Sequence, residues 1–273
     1  MPYKKNLPES GLRKKVWGEL EKEKNSIYCH TTISDEVFVP LHKHTNRGQL
    51  IYSEGGKVYI TDGNKVWYLP ARHYMWIPAG MQHSVKLSMP SVLLWIIYFP
   101  LWKNELSFFK KPGVYPVNDL LLELIYFTRN WKGHITKRDE TKFFFASGIK
   151  ALLPEISKHG LPFNLPTPKD PKLEKVIRYL HDNLSEHLLI KDVAKKFEIS
   201  ERTLARLFRK DLKMTFINYL TILRIIHSVE LLALGNLTIK EICFEVGYES
   251  VPTFSNVFKK ALGVRPTEYI NKK

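Results

Sequence analysis

The sequence predicts a multidomain chain of the α+β class, with a β-rich N-terminal domain and its following helices, then an all-helical C-terminal domain. Three observations predict it. Residues about 26–100 break into short apolar segments separated by turn signals. Five prolines, Pro154, Pro162, Pro166, Pro168 and Pro171, then fall within 18 residues. From Lys172 onward apolar residues recur only at helical spacing. A chain of 273 residues has room for two domains of about 100–200 residues each.

The strand segments are Ile27–Thr32, Glu36–Leu41, Gln49–Tyr52, Lys57–Thr61, Val66–Leu69, Tyr74–Ile77, Val85–Leu87 and Val92–Phe99. Many are rich in Val, Ile, Tyr, Trp or Phe. Glu54-Gly55-Gly56, Asp62-Gly63-Asn64 and Pro78-Ala79-Gly80 mark turns between them. Short strands at this spacing predict a closed or sandwich-like β fold. The period changes in Val117–Trp131 and Thr141–Leu153, where residues such as Leu120, Leu121, Leu124, Ile125 and Phe127 fall at helical spacing. Helices do not run through the proline cluster, so residues 154–171 read as a linker. The domains are then 1–153 and 172–273. The second opens on a stripe of Val176, Ile177, Leu180 and Leu184.

Composition narrows the function. At 44% hydrophobic and 25% charged residues the chain is globular and not disordered. Cys29 and Cys243 share no metal-ligand spacing, which excludes a disulfide framework and a cysteine-based zinc finger and fits a reducing compartment. The start, MPYKKNLPES, has no secretory signal, and the apolar run between Ser91 and Pro100 is too short to span a bilayer. The expectation is a soluble cytoplasmic protein with no membrane partner. The net charge of +15 suggests a polyanion. It does not locate the contact, because residues 1–169 carry 24 basic against 14 acidic residues and residues 170–273 carry 18 against 13.

Two blocks of the C-terminal domain repeat. Ile190, Val193, Ala194, Phe197, Ser200, Leu204, Leu207 and Phe208 are echoed by Ile239, Ile242, Cys243, Val246, Ser250, Phe254, Val257 and Phe258. The second copy has one extra residue in its turn, at Val246-Gly247-Tyr248, where glycine can take the positive φ of a sharp turn. A serine then caps a short helix whose apolar residues bury one face. This is a duplicated helix-turn-helix. The exposed N-terminal positions of such a second helix reach base edges in the major groove, and flanking cations hold phosphates. In the first copy they are Glu201, Arg202, Thr203 and Arg206, followed by Arg209 and Lys210. In the second they are Val251, Pro252, Thr253 and Asn256, followed by Lys259 and Lys260. Thr215–Leu234 reads as a connecting helix ending at Gly235, with Phe216, Leu220, Leu223, Leu231 and Leu232 to bury. Twenty residues span about 30 Å, close to the ~34 Å between successive major-groove faces.

Residues about 172–271 resemble the C-terminal domain of AraC/XylS-family transcription regulators. The matching text is Ser200–Lys210 (SERTLARLFRK), Tyr219, Arg224, Leu231-Leu232 and Ile239–Pro266 (IKEICFEVGYESVPTFSNVFKKALGVRP), closing on Thr267–Ile270. The resemblance implies seven helices, two helix-turn-helix units and control of transcription through double-stranded promoter DNA, with RNA polymerase as a partner of an activator. Matched to the motif, the base-reading residues are Arg202, Ala205 and Arg206 in the first unit and Val251, Pro252, Thr253 and Asn256 in the second. Ser228 stands where many members have Ala.

The N-terminal half holds His42-x-His44, then Gln49 and Gly55-Gly56, and later Trp76–His83 (WIPAGMQH). Alternate residues of a strand face one side, so His42 and His44 can point together, and His83 follows a turn and could join them. This resembles the cupin fold, a small β-barrel, and in particular the cupin sensor domains that precede AraC-type DNA-binding domains. The resemblance implies an effector pocket at His42, His44, Gln49 and His83, filled by a small molecule or by a divalent metal held by the three histidines. Gln49 stands where a glutamate is usual, and a neutral amide is the poorer ligand. The helices after the barrel carry more apolar residues (Phe143, Phe144, Phe145, Ile149) than one packed face needs. They point either to a homodimer surface, as the resemblance implies, or to packing within the domain. Two competing classes are a metal-dependent cupin enzyme and a non-specific nucleoid or RNA-binding protein. The first lacks an acid/base pair near its motif, and the second leaves the duplicated unit unexplained.

Overall fold

The computed structural model describes residues 18–20, 22–34, 38–88, 92–158 and 160–271. They fall into two compact units, one drawn from Met1–Asp62 and Arg72–Gly160, the other from Gly63–Ala71 and Leu161–Lys273.

The first unit is built on strands β1 (Ile27–Ser34), β2 (Phe38–His42), β3 (Arg47–Glu54) and β4 (Val58–Thr61), with β6 (His73–Ile77), β7 (His83–Leu87) and β8 (Val92–Pro100); β5 (Lys65–Leu69) clusters with the second unit. Glu36 and Val37, expected to open β2, lie outside the described residues. Two short strands complete a six-stranded antiparallel sheet, β9 (Gly113–Pro116) and β10 (Gly133–Ile135), in the order β10-β1-β8-β3-β6-β9. Neither was expected, since three or four residues are too few to show an alternating pattern. They occupy the two edges, so the sheet ends there and does not close into a barrel. A second ladder runs β4-β7-β2, with a bulge between Val39 and His42.

Strand parity divides the six-stranded sheet into two faces. Leu50, Tyr52, Tyr74, Trp76, Trp95, Ile97 and Phe99 lie on one, in a single apolar cluster with Leu121, Ile125, Ala146, Ile149 and Leu153. The last five come from helices α1 (Asp119–Thr128) and α2 (Glu140–Ile156). Asn118 caps α1 by accepting from the Leu121 N–H at 2.9 Å. Helix α2 runs past Pro154 by two residues, where the missing N–H removes one bond at the frayed last turn. The opposite face of the sheet carries Tyr28, Gln49, Ile51, Met75, Ile96 and Tyr98, all buried. Helix packing accounts for much of the apolar content of α1 and α2, yet Leu120, Phe127 and Phe144 stay exposed.

In the second unit β5 pairs with β11 (Asn164–Pro166) inside the proline-rich segment. Seven helices follow: α3 (Pro171–Asp182), α4 (Ile190–Lys196), α5 (Glu201–Asp211), α6 (Phe216–Leu234), α7 (Ile239–Glu245), α8 (Val251–Leu262) and α9 (Pro266–Asn271). Asp170 caps α3, with Pro171 at its first position. Leu184 lies beyond the end of α3 and does not extend its apolar stripe as expected. The buried residues of α6 include Phe216, Leu220, Leu223 and Leu232, while Leu231 is half-buried. This helix is long and apolar enough to cross a membrane, but half of that stretch is buried within the protein. Ser228 is fully buried on α6, and its hydroxyl is satisfied by donating to the Ile225 carbonyl at 2.8 Å.

Candidate functional site

Helices α4 and α5 form the first helix-turn-helix. The turn places Glu198 at φ 56°, a left-handed conformation, and closes with the Ile199 N–H donating to the Ala194 carbonyl at 3.1 Å. Ser200 then accepts from the Thr203 N–H at 3.1 Å, capping α5. Leu204 and Phe208 are fully buried, which fixes the rotation of α5. Arg202, Arg206, Arg209 and Lys210 are consequently exposed, and Thr203 and Ala205 half-buried.

The second unit, α7 and α8, repeats this with one more residue in the turn. Thr238 and Glu241 form a capping box at the start of α7. Gly247 takes φ 79°, as expected of the longer turn. Ser250 accepts from the Thr253 N–H at 3.4 Å and donates to the Thr253 hydroxyl at 2.8 Å. The Thr253 hydroxyl thus uses acceptor capacity on its cap and keeps its proton for another acceptor. Phe254 and Phe258 are buried, Val251 is half-buried, and Pro252, Thr253, Asn256, Lys259 and Lys260 are exposed. Among the described residues, the six cations Arg202, Arg206, Arg209, Lys210, Lys259 and Lys260 take part in no ion pair.

In the first unit His42 at the end of β2 pairs in register with His83 at the start of β7. His44 lies just past β2, where its carbonyl accepts from the Gly80 N–H at 2.8 Å, so the Pro78–Gly80 turn seats it. One ligand atom from each of the three rings lies within 4.8 Å of the others. His44 and His83 are buried and His42 is half-buried. Burial, then the neighbouring His42, His83 and Arg47, pushes the His44 imidazole down to about 2; burial and His42 push His83 down to about 4. Both rings are therefore neutral near pH 7. The Nδ1 of His42 bonds to the Pro40 carbonyl at 2.7 Å and that of His83 to the Met81 carbonyl at 3.0 Å. A carbonyl only accepts, so both Nδ1 atoms carry protons, and the neutral His83 ring keeps its lone pair on Nε2. The Nε2 atoms of His44 and His83 are buried without a hydrogen-bond partner.

Gln49 lies opposite Tyr98 across β3 and β8, and the Tyr98 ring meets His44 edge-on at 4.9 Å. The Gln49 Oε1 is also buried and unpartnered. Buried polar atoms left without partners are costly in a protein interior, and three clustered imidazoles, two of them neutral, form a donor set that fits a divalent transition metal. Backbone carbonyls that orient ligating imidazoles are the usual supporting layer of such a centre. Tyr98 and the orienting carbonyls of Pro40 and Met81 carried no signal in the sequence, since a carbonyl has no residue type.

Residues 193–272 match the family described as the helix-turn-helix domain. Over its length the chain is 27% identical to the HTH-type transcriptional regulator NimR of Escherichia coli (strain K12), covering 89% of this chain and 86% of that protein. It is 27% identical to the uncharacterized HTH-type transcriptional regulator YfiF of Bacillus subtilis (strain 168), covering 90% and 84% respectively. The lactose operon transcription activator of Staphylococcus xylosus is 31% identical over 97 residues, covering 36% of this chain and 35% of that protein.

Proposed function

We infer that this chain, a helix-turn-helix transcription regulator of the AraC type, reads a two-part promoter site with α5 and α8 and ties that binding to an effector held in its N-terminal sheets. The observation that carries the reading is the pair of serine-capped helices, each with its apolar face buried and a basic pair exposed after Phe208 or Phe258. On α5, Arg202 and Arg206 can each take guanine O6 and N7 together, and Arg209 and Lys210 can hold phosphates. On α8, Val251 and Pro252 offer shape, Thr253 and Asn256 offer hydrogen bonds, and Lys259 and Lys260 hold phosphates. The protein acts in the cytoplasm as a homodimer, with the exposed Phe127 and Phe144 on the self-association face.

In this reading the N-terminal domain is a cupin-like sensor and not an enzyme. Its effector is a divalent cation, held by His42, His44 and His83 with Gln49 beside them. Such an ion supplies a positive charge that draws the three imidazoles together. The chain's own part is to keep His44 and His83 neutral through burial and to orient His42 and His83 through the carbonyls of Pro40 and Met81. With no carboxylate in the set, binding is weaker than at a structural site and the ion exchanges with solution, which suits a sensor.

The experiment is selection of duplexes from a random pool by the full-length protein, with and without added Zn²⁺ or Ni²⁺, followed by salt titration on the winning duplex. Enrichment of a two-part motif whose affinity shifts with the ion supports the reading. Equal binding to selected and random duplexes sinks the regulator. A motif whose affinity ignores the ion, with His83→Ala behaving as wild type, sinks the metal and leaves the regulator.

A further inference from the structure

We propose that Arg224 is the positioning residue that sets the separation and angle of the two reading helices, and hence the spacing of half-sites that the protein accepts. Arg224 lies on α6. Its guanidinium Nη2 donates to the carbonyls of Leu184 at 3.3 Å and Glu186 at 2.8 Å, both in the loop that leads into the first helix-turn-helix. The same guanidinium carbon stands 5.4 Å from the centre of the Tyr248 ring, in the turn of the second helix-turn-helix. One side chain thus touches the entry to one reading unit and the turn of the other.

Gly247 shows how closely these parts meet. A Cβ there would run into the Leu184 carbonyl and the Arg224 guanidinium, so the second turn is seated against the first unit's loop. That loop is in turn tied to the first turn. The Tyr179 hydroxyl donates to the Glu186 carboxylate at 3.3 Å, and the Tyr179 ring packs edge-on against Phe197 at 5.8 Å. A continuous path therefore runs from Phe197 in the first turn through Tyr179, Glu186 and Arg224 to Tyr248 in the second. The exposed pair His187–Glu249 at 2.9 Å lies alongside, and in that setting it adds little.

Only arginine suits the position. One guanidinium nitrogen serves both carbonyls while the delocalised charge faces an aromatic ring, whereas a lysine concentrates its charge and its three donors on a single flexible nitrogen and cannot reach both sets of partners in the same rigid geometry. Two reading units on one chain gain affinity from each other only when their geometry matches both half-sites at once. Fixing that geometry is what converts two weak readers into a spacing-specific one.

The inference rests on the DNA-reading function, and the test separates the two. The probes are the two-part duplex selected by full-length wild type, the same duplex with the second half scrambled, and the same duplex with one base pair inserted between halves. Far-UV circular dichroism and thermal unfolding establish that Arg224→Met and Arg224→Lys are folded. Arg224→Met should bind the scrambled duplex as wild type does, lose about tenfold on the intact duplex, and no longer distinguish the inserted one. Arg224→Lys should fall between. If Arg224→Met keeps the wild-type spacing preference, or loses equally on all three duplexes, the proposal is wrong and Arg224 is merely structural. If wild type selects no two-part duplex, the DNA-reading function fails and takes the proposal with it. Pulsed electron spin resonance between labels at Arg202→Cys and Thr253→Cys, in full-length protein diluted with unlabelled protein, reads the geometry without DNA. Its distance distribution should broaden in Arg224→Met, and an unchanged distribution overturns the proposal.

Discussion

Arg206 and Lys259 are both exposed cations on reading helices, yet their positions ask different things of them. Arg206 lies at mid-helix on the same open face as Arg202, where a guanidinium can grip one guanine, a contact worth about 1–3 kcal/mol. Lys259 lies in the last turn of α8, and the proposed role of its flexible ammonium is to hold a phosphate. Arg206→Ala should therefore weaken binding to the selected duplex more than to random DNA, whereas Lys259→Ala should weaken both equally and lower the salt slope by about one unit. Titrations at several salt concentrations distinguish these outcomes, and an equal loss on both DNAs for Arg206→Ala would make it a phosphate contact. Gln49→Glu is the corresponding test of the proposed metal site. A carboxylate buried at that position should lower the melting temperature of metal-free protein, because an unpaired charge is costly in the interior, and should raise affinity for a divalent ion. Calorimetric titration with Zn²⁺ showing no gain would remove Gln49 from the metal's surroundings.

At the scale of elements, helix α2 is pinned to the sheet by a buried ion pair. The Lys150 ammonium donates to the Glu105 carboxylate at 2.5 Å and to the Pro100 carbonyl at 3.1 Å, and stands 4.1 Å from the Trp102 ring centre. Burial pushes the Lys150 ammonium below lysine's usual value, and Glu105 opposes the push. Removing one partner leaves the other charge uncompensated, whereas removing both costs much less. Glu105→Gln should destabilise the protein by about 3–5 kcal/mol, and the double variant Glu105→Gln, Lys150→Met should recover most of that loss in denaturant unfolding. Equal stabilities for the single and double variants would show that the pair is not coupled. In the reading domain the same scale is governed by caps: Ser200, Thr215, Thr238 and Ser250 each accept from a backbone N–H in the first turn of their helix.

For the whole molecule, the two reading helices should divide their work unequally. Helix α5 presents two guanidinium groups, while α8 presents Val251 and Pro252, which lack side-chain donors, beside Thr253 and Asn256. The half-site under α5 should be G-containing and tightly constrained. The other should be A/T-biased and tolerant, since Asn favours adenine and Val251 can touch a thymine methyl group. Helix α6 has 19 residues, about 28 Å of rise, so the half-sites should lie about one helical turn apart. Scanning every base of the selected duplex measures the information in each half. A second half as constrained as the first would refute this division while leaving the fold untouched.

The sequence by itself determined most of the helices of the C-terminal domain. Its signals are local: a serine followed three residues on by the N–H it caps, apolar residues three and four apart, a glycine where φ must be positive. Each is a relation within one or two turns of chain, so composition and spacing carry it. Seven strands of the first unit, and β5 of the second, were legible from equally local signals, short runs of strand-forming residues between turns. What only the tertiary structure decided depends on which distant segments meet. Strands β9, β10 and β11 are three or four residues long and take their conformation from the partner edge, so their own sequence has no period to show. The first two form the edges of the six-stranded sheet and leave it open where the cupin resemblance implied a barrel. The convergence of His42, His44 and His83 depends on the register of β2 with β7 and on the turn that seats His44, and Gln49 comes opposite Tyr98, whose ring meets His44, only through the register of β3 with β8. Arg224 was visible in the sequence only as part of the AraC/XylS resemblance, and its contacts were not. Its partners are two backbone carbonyls and a ring on segments about 40 residues earlier and 24 later, and backbone carbonyls leave no mark in a sequence.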